Sequence, residues 1–453
     1  MRTLTDAQKT YELSKVWKEA AYNFAFWDKV SIDWDGEYKK ALARVLETKD
    51  IYDYYCELKR FVTLLNDGHT DVSFPNEIAQ DSEYFSMFPV YFAKPGKEII
   101  VVSTSEDLKD DIPLFSILVK IDGRDIHDYI RENCYPYFWH ANEDACGVFV
   151  LNQLVFGRRG SSAVLTFAKD GRPFEVRLER IDPSKIVWHT SEPAEVQSDT
   201  ARRLISSSDA HTVHITDDGI AIIRMTSFDD HSMPGKIYSC FDELKNAKGY
   251  ILDVRGNRGG NSENAEAIAA MFISGDFHSC YAETQIYEPT YKAWSIFRED
   301  FKGLSPDEAK LKYADDAYSL KTYRMQKHIF YVRDEGKAVA NRAPGKLEGP
   351  IAVLMNQYTF SAAEDFIDLM KMYTNAVFIG NNTAGTSGQP LCETLESGGF
   401  FRICTRRCIA QNGEDIYNKG FTPDIQVSPA AEDIASGRDV VLEKGLTTVK
   451  GRS

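Results

Sequence analysis

The chain has 453 residues, a formal net charge of −15 and 43% hydrophobic residues. Its length exceeds the size at which one core usually divides, so two or three domains are expected. Its net negative charge argues against an extended surface for nucleic acid or anionic lipid. No apolar run reaches the roughly 18 residues of a membrane span. Residues 1–10 lack the apolar segment of a signal peptide, which favours a cytoplasmic protein unless a leader has been removed.

The eight cysteines are scattered along the chain, unlike the dense framework of a small disulfide-stapled domain. None forms a C-x-x-C pair, and no histidine flanks the nearest pair at zinc-binding spacing. We therefore expect reduced, structural cysteines and no metal site. The cysteines are Cys56, Cys134, Cys146, Cys240, Cys280, Cys392, Cys404 and Cys408.

Residues 1–75 are predicted to form a helical domain. Apolar residues recur at helical spacing along it, and the last of its helices, over residues 51–65, ends at the turn Asn66-Asp67-Gly68. His69 follows directly, before a short alternating strand. A lone histidine after a turn is commonly a surface or capping residue, so this position alone indicates no function.

Residues 85–182 show the short strands and Gly-containing turns of a small β-rich module. An exposed edge of such a module can bind an extended peptide by strand addition. Residues 183–210 are polar and without periodicity, and we interpret them as a linker.

Residues 211–453 alternate strand and helix patterns and are predicted to form the largest domain. A buried strand over 249–254 leads into the glycine turn 255–260, and a helix over 262–272 follows. Residues 277–347 form a charged, tyrosine-rich insertion whose apolar residues show no strong periodicity. No function is assigned to this insertion from the sequence.

The glycine turn, R-G-N-R-G-G, lacks both the Gly-Lys-Ser/Thr of a P-loop and the G-x-G-x-x-G spacing of a dinucleotide site. Two interpretations remain. The turn either serves only as a tight connection between strand and helix, or it presents the backbone N–H of Gly259 or Gly260 to an anionic oxygen.

Ser361 lies between a buried apolar strand over 350–355 and a helix whose apolar face repeats at i, i+3, i+4 and i+7. Its place at the mouth of the helix suits a nucleophile, because unpaired N–H groups such as that of Ala362 could hold an oxyanion there. Ser361 and Glu364 also match the S-x-x-E capping box, in which both side chains only satisfy backbone donors.

Four motifs in this order resemble the tail-specific (C-terminal-processing) serine peptidase family: residues 253–260, 359–364, 380–385 and 420–427. The resemblance covers essentially the whole chain. It implies an α+β multidomain fold, with a helical N-terminal region, a PDZ-like β module and a crotonase-like ββα catalytic domain. It also implies that Ser361 is the nucleophile, with Ala362 and either Gly259 or Gly260 forming the oxyanion hole.

The family divides by its general base. The processing-protease branch carries a lysine after a T-x-G turn, where this chain has Thr386, and no lysine lies between Lys371 and Lys419. The branch similar to the tricorn core uses the histidine of a D-G-H-T-like motif, which is present here at residues 67–70. The resemblance therefore implies that His69 is the base.

The acid that orients the histidine is left open. In the tricorn-like branch it lies shortly before the final G-x-x-P-D motif, where Glu414 and Asp415 are the available carboxylates. Glu364 is a further candidate, since it lies three residues after Ser361 and shares its helix face.

These expectations describe a serine endopeptidase that needs no metal or other cofactor. The resemblance also implies protein or peptide substrates that are recognised by their C-terminal tails. A non-catalytic ligand-binding module similar to retinoid-binding relatives is the alternative, because a fold does not fix a function. An enzyme that acts on acyl thioesters is a third possibility. Neither the substrate nor the oligomeric state can be read from the sequence.

Overall fold

The computed structural model describes residues 2–190, 202–327, 332–334 and 336–452. They form a mixed α/β structure in which several sheets and helical layers surround separate hydrophobic clusters. Within these residues, no helix combines the length and hydropathy that crossing a membrane requires.

The N-terminal region is helical, as predicted. The first helix starts with a capping box formed by Thr5 and Gln8, and it buries Leu13, Val16 and Ala20 at helical spacing. A short strand follows the turn that carries His69. The elements are α1 (Asp6–Asn23), α2 (Trp34–Glu47), α3 (Ile51–Val62), β1 (Asp71–Ser73) and α4 (Asn76–Ala79).

The middle region is a mainly antiparallel sheet in the order β10-β4-β5-β8-β9, with β3 paired to β4 and β6 to β5. Asp170 and Gly171 both have positive φ, the pattern of a tight two-residue hairpin between β8 and β9. The elements are β2 (Ser86–Met87), β3 (Val90–Ala93), β4 (Ile100–Ser105), β5 (Ile117–Ile121), β6 (Arg124–Asp125), α5 (Ile126–Asn133), α6 (Gly147–Val155), β7 (Phe156–Gly157), β8 (Ser162–Lys169), β9 (Arg172–Glu179) and β10 (Trp188–Thr190).

The third region is built on a sheet in the order β11-β12-β13-β14-β19-β20-β24, parallel from β13 to β24. Its elements up to the insertion are β11 (Arg202–Ser208), β12 (His211–Thr216), β13 (Ile220–Met225), α7 (Met233–Tyr238), α8 (Phe241–Leu244), β14 (Gly249–Asp253) and α9 (Ser262–Ala270). Those of the insertion are β15 (Phe277–His278), β16 (Tyr281–Thr284), α10 (Pro289–Ser295), α11 (Pro306–Lys312), α12 (Ala317–Lys327), β17 (Val332–Asp334) and β18 (Ala338–Val339). The remainder are β19 (Ile351–Met355), α13 (Ala362–Tyr373), β20 (Val377–Gly380), β21 (Pro390–Thr394), β22 (Phe400–Cys404), β23 (Arg406–Ile409), β24 (Ile425–Gln426), α14 (Ala431–Ser436) and α15 (Val440–Lys450).

The central strands of this sheet are covered on both faces. Every residue of β14 and β19 is buried, which explains why these segments read as continuous apolar runs. Helices α9 and α13 contribute to the cluster on one face, and α15 contributes to the cluster on the other. Because β14 and β19 are adjacent and parallel, the loops at their carboxyl ends lie side by side. Those two loops are the glycine turn and the turn before Ser361.

The N-terminal region is joined to the third region by a shared sheet and a shared core. Strand β1 pairs antiparallel with β22, and Phe401 and Ile403 of β22 belong to the N-terminal hydrophobic cluster. The buried carboxylate of Glu12 accepts hydrogen bonds from the backbone N–H and hydroxyl of Ser397, at 2.6 and 2.8 Å. These contacts bring His69, which lies just before β1, to the third region.

Two segments differ from their predicted description. The stretch interpreted as a linker is not wholly irregular, because β10 pairs with β4 and β11 with β12; its residues 191–201 lie outside the described residues. The insertion contains three helices in its described part, one of them started by a capping box of Ser305 and Glu308. That capping signal was present in the sequence, whereas the short helices give too little periodicity to detect.

Candidate active site

Ser361 occupies a strained turn between β19 and α13. Its backbone has φ 54° and ψ −126°, a region that residues other than glycine rarely adopt. Its side chain makes no capping hydrogen bond to α13 among the described residues. The capping-box interpretation of Ser361 and Glu364 is therefore wrong, because the Ser361 side chain caps nothing and the Glu364 carboxylate accepts its hydrogen bonds from residues 383–386.

His69 lies directly against this serine. Its Nε2 is 3.1 Å from Ser361 Oγ, and its Nδ1 is 2.6 Å from the hydroxyl oxygen of Thr386. The carboxylate of Asp67 holds the loop by accepting hydrogen bonds from the His69 backbone N–H and the Thr70 hydroxyl. The turn 66–68 and strand β1 thus fix the position of the imidazole.

The electrostatics of the site favour a neutral imidazole. Burial lowers the pKa of His69 from 6.5 to about 3, and the nearby Arg402 acts in the same direction. A base that receives the serine proton at Nε2 must carry its own proton at Nδ1, which leaves the Thr386 hydroxyl oxygen to accept the hydrogen bond from Nδ1–H. Two consecutive hydrogen bonds therefore join the Ser361 hydroxyl, the His69 imidazole and the Thr386 hydroxyl in series.

Glu364 lies beneath this series and is fully buried. Its Oε1 accepts hydrogen bonds from the Thr383 hydroxyl and the Gly385 N–H, at 2.6 and 2.7 Å, and its Oε2 accepts one from the Thr386 N–H at 2.9 Å. Burial raises the pKa of Glu364 to about 7, although these three donors favour the ionised form. The Glu364 side chain fixes the turn that presents Thr386, and among the hydrogen bonds of the described residues none joins Glu364 to His69.

Glu414 and Asp415, the other candidate acids, lie elsewhere. Asp415 forms an ion pair of 2.9 Å with Lys29, and both side chains are about half exposed. Glu414 is exposed and pairs locally with Asn412. In the part of the chain that the structure describes, neither carboxylate hydrogen bonds to His69. Sequence reasoning missed Thr386, which it noted only as the replacement of a lysine.

The glycine turn lies against the serine. A Cβ atom added to Gly259 would be 2.7 Å from Ser361 Cβ and 2.9 Å from the Ala362 nitrogen, so only glycine permits this contact. The Gly259 N–H donates to the side-chain oxygen of Asn257, whereas the N–H groups of Gly260 and Ala362 have no acceptor among the described residues. Of the two candidate glycines, Gly260 has the available donor.

A cavity of about 1150 Å³ opens beside the turn. Gly260 lines it, together with residues of the insertion and of β23, whereas Ser361 and His69 are not among the residues that line it. The cavity therefore adjoins the serine–histidine pair at the proposed oxyanion donor and does not contain the pair.

A serine hydroxyl within hydrogen-bond reach of a histidine is an arrangement that serine-type peptidases use for nucleophilic catalysis. Residues 219–427 match the sequence profile of peptidase family S41. This stretch of the chain is thus similar to family S41, which agrees with the classification that the four sequence motifs indicate.

Two curated relatives agree with this classification. The chain is similar to the carboxy-terminal processing protease CtpA of Bacillus subtilis (strain 168), with 26% identity over 212 residues, which is 46% of this chain and 35% of that protein. It is also similar to a probable CtpA-like serine protease of Staphylococcus haemolyticus, with 20% identity over 348 residues, covering 76% of this chain and 53% of that protein. The matched segments therefore span about a third to a half of these relatives.

A solved structure supports the fold over the whole chain. The structure of mature CPAF complexed with lactacystin superposes with a TM-score of 0.67 at 17% identity, covering 97% of both chains. At this identity the likeness shows the fold alone. Together with the family match, it confirms the predicted fold class at the level of a mixed α/β multidomain structure and does not favour the ligand-binding alternative.

Proposed function

We propose that the protein is a serine endopeptidase that hydrolyses peptide bonds through an acyl-enzyme on Ser361. The observation that carries the proposal is the 3.1 Å approach of His69 Nε2 to Ser361 Oγ, made by residues that are 292 positions apart. A hydroxyl within hydrogen-bond reach of a neutral imidazole, itself held at its second nitrogen, is the arrangement that activates a serine nucleophile.

In the first half of the reaction, His69 removes the Ser361 proton as the oxygen attacks the substrate carbonyl, and it returns that proton to the leaving amine. General base catalysis of this kind contributes about 10²–10⁴ in rate. The N–H groups of Ala362 and Gly260 hold the oxyanion, and loss of one such donor costs about 10²–10³. Water then repeats the cycle on the acyl-enzyme, with His69 as its base.

Thr386 is the positioning residue in this proposal. Its hydroxyl oxygen accepts the Nδ1–H bond of His69, which selects the tautomer with a lone pair at Nε2. The three donors around Glu364 hold the backbone of Thr386 in place. A hydroxyl supported by a buried carboxyl group thus takes the place of a carboxylate in contact with the histidine.

We further propose that the middle region is a PDZ-like module that presents peptide tails to a crotonase-like catalytic domain, with domain boundaries near those predicted from the sequence. Strand β3 pairs with β4 on one side, and no other strand pairs with it in the described residues. Val90 and Phe92 point into the core while Tyr91 is exposed, so an added peptide strand would meet an ordered edge. Helix α6 contacts β3, as a groove between helix and strand requires.

The test is labelling with a fluorophosphonate probe, followed by peptide mapping. We expect a single adduct on Ser361, and no labelling of the Ser361→Ala variant. His69→Ala should slow labelling by at least about 10², the contribution of a general base. Equal labelling of wild type and Ser361→Ala would contradict the proposed nucleophile.

A further inference from the structure

Two cysteines and one aspartate converge on the wall of the cavity beside the glycine turn. The Sγ atoms of Cys280 and Cys408 and a carboxylate oxygen of Asp365 lie within 4.8 Å of one another. All eight cysteines of the chain are free thiols, so both sulfurs are available as ligands. The proposed peptidase mechanism uses none of these three residues.

The convergence follows from the fold. Cys408 lies on β23 opposite Ala282 of β16, and Cys280 lies two positions before Ala282, so both side chains are on the same face of the strand pair. Asp365 comes from the first turn of α13, and its Oδ1 approaches Cys280 Sγ. The three ligand atoms thus come from the residue just before β16, from β23 and from α13, although the cysteines are 128 positions apart in the chain.

We propose that Cys280, Cys408 and Asp365 form a binding site for a thiophilic divalent cation of the Zn²⁺ type. Thiolate and carboxylate groups are both common zinc ligands. In a tetrahedral site with Zn–S bonds of about 2.3 Å, two sulfurs lie about 3.8 Å apart, so separations of up to 4.8 Å need to contract by only about 1 Å. The distance between Cys280 Sγ and Asp365 Oδ1 is already 3.8 Å.

The surroundings of the three ligands suit a metal centre. The hydroxyl of Ser387 donates to Oδ1 of Asp365 at 2.9 Å, and that of Ser262 donates to Oδ2 at 2.7 Å. Such outer partners orient a ligating carboxylate. Two thiolates and one carboxylate carry three negative charges, which exceed the charge of Zn²⁺ by one. The guanidinium of Arg406, 3.4 Å from Cys280 Sγ, offsets that excess.

The fourth coordination position faces the cavity, because Cys280 and Asp365 both line it. A site with three protein ligands and one open position exchanges its metal and binds water or a further ligand there. This inference is independent of the proposed peptidase activity, since its primary measurement is metal binding.

The test uses the reduced, metal-free full chain, titrated with Zn²⁺ in competition with a chromophoric chelator. We expect one Zn²⁺ per chain, and we expect Cys280→Ser and Cys408→Ser each to weaken binding more than about 100-fold, since even outer-shell partners contribute about 10–100-fold. Cys392→Ser is the matched control, because Cys392 is exposed on another strand and should leave affinity unchanged. Undiminished zinc affinity in both ligand variants, or no zinc binding by the reduced wild type, would overturn the proposal.

Two further measurements guard against misfolded variants. Co²⁺ added to the wild type should give the near-ultraviolet charge-transfer band of a cobalt–thiolate bond, and Asp365→Asn should keep that band with lower affinity. Zn²⁺ should also slow alkylation of Cys280 and Cys408 in the unaltered protein and leave Cys392 unprotected. Absence of the thiolate band, or equal alkylation of all three cysteines with and without Zn²⁺, would contradict the site.

Discussion

At Ser361 the backbone has a conformation that costs about 1–3 kcal/mol, and the serine side chain does not compensate by capping its helix. Ser361→Ala should therefore abolish peptide hydrolysis with little loss of stability, less than the 0.5–2 kcal/mol expected for a true N-cap. Ser361→Gly should be equally inactive and more stable than Ser361→Ala by about 1–2 kcal/mol, because glycine tolerates positive φ. Urea unfolding of the two variants measures the difference. A glycine variant less stable than the alanine variant would argue against strain at this position.

The hydroxyl of Thr386 is predicted to orient His69. Thr386→Val keeps the shape and leaves the Nδ1–H without an acceptor, which costs about 1–3 kcal/mol for a buried group. We expect kcat to fall by about 10–100-fold with KM nearly unchanged, and Thr386→Ser to restore most of the rate. Steady-state kinetics of the two variants test this. A valine variant as fast as wild type would mean that His69 is held by other contacts.

The buried histidine predicts an unusual dependence on pH. With the pKa of His69 lowered to about 3, the base stays neutral at pH 5, where a histidine of ordinary pKa near 6.5 is mostly protonated. The kcat/KM should therefore persist at pH 5 and decline only at lower pH. An acid limb centred near 6.5 in the kcat/KM profile would show that the imidazole is well solvated in the free protein.

The lowered pKa of His69 also makes the free energy of unfolding depend on pH. Between pH 6.5 and about 3 the unfolded chain binds a proton at His69 and the folded chain does not, so the free energy of unfolding falls as the pH is lowered through that window. From pH 7 to pH 5 this contribution amounts to about 2 kcal/mol. Comparing the free energy of unfolding of wild type and His69→Gln at the two pH values isolates it, since glutamine does not titrate.

At the scale of secondary-structure elements, the glycine turn packs so closely against the turn at Ser361 that a side chain at the point of contact would displace the serine. Gly259 and Gly256 both have positive φ, but an added Cβ would meet Ser361 at Gly259 and open space at Gly256. Both alanine substitutions should cost about 1–2 kcal/mol through backbone strain. Only Gly259→Ala should also lower kcat, by at least about 100-fold, because it displaces the nucleophile by a substantial fraction of 1 Å. Equal activities in the two variants would contradict this contact.

The elements around the site were predictable because their patterns are strong. The apolar run predicted as a strand over 350–355 is β19, and the helix expected after Ser361 is α13. The positive φ of Ser361 was not predictable, since propensity assigns a serine there to a cap and only tertiary contacts impose the strain. The role of Thr386 was missed for a similar reason: it depends on which turn comes to lie beside His69, a long-range property that no local pattern records.

At the scale of the whole molecule, the N-terminal region and the third region are expected to unfold together. Glu12→Ala would leave the buried backbone N–H of Ser397 without its acceptor, at a cost of about 1–3 kcal/mol, whereas Glu47→Ala removes an exposed carboxylate and should change little. Unfolding of Glu12→Ala can be followed by tryptophan fluorescence of the N-terminal helices and by residual activity. We expect the denaturant midpoints of the two measurements to shift by the same amount. A fluorescence midpoint that shifts alone would indicate that the N-terminal region unfolds independently.

The pairing of β1 with β22 also has a consequence for the timing of activity. During synthesis His69 leaves the ribosome long before Ser361, and strand β22, which secures the histidine loop, follows the serine by about forty residues more. A growing chain that has not yet reached β22 therefore lacks the strand that holds His69 beside Ser361. Under the proposed mechanism, peptide hydrolysis becomes possible only after β22 has been synthesised and paired with β1, so a shorter nascent chain does not cleave itself or its neighbours.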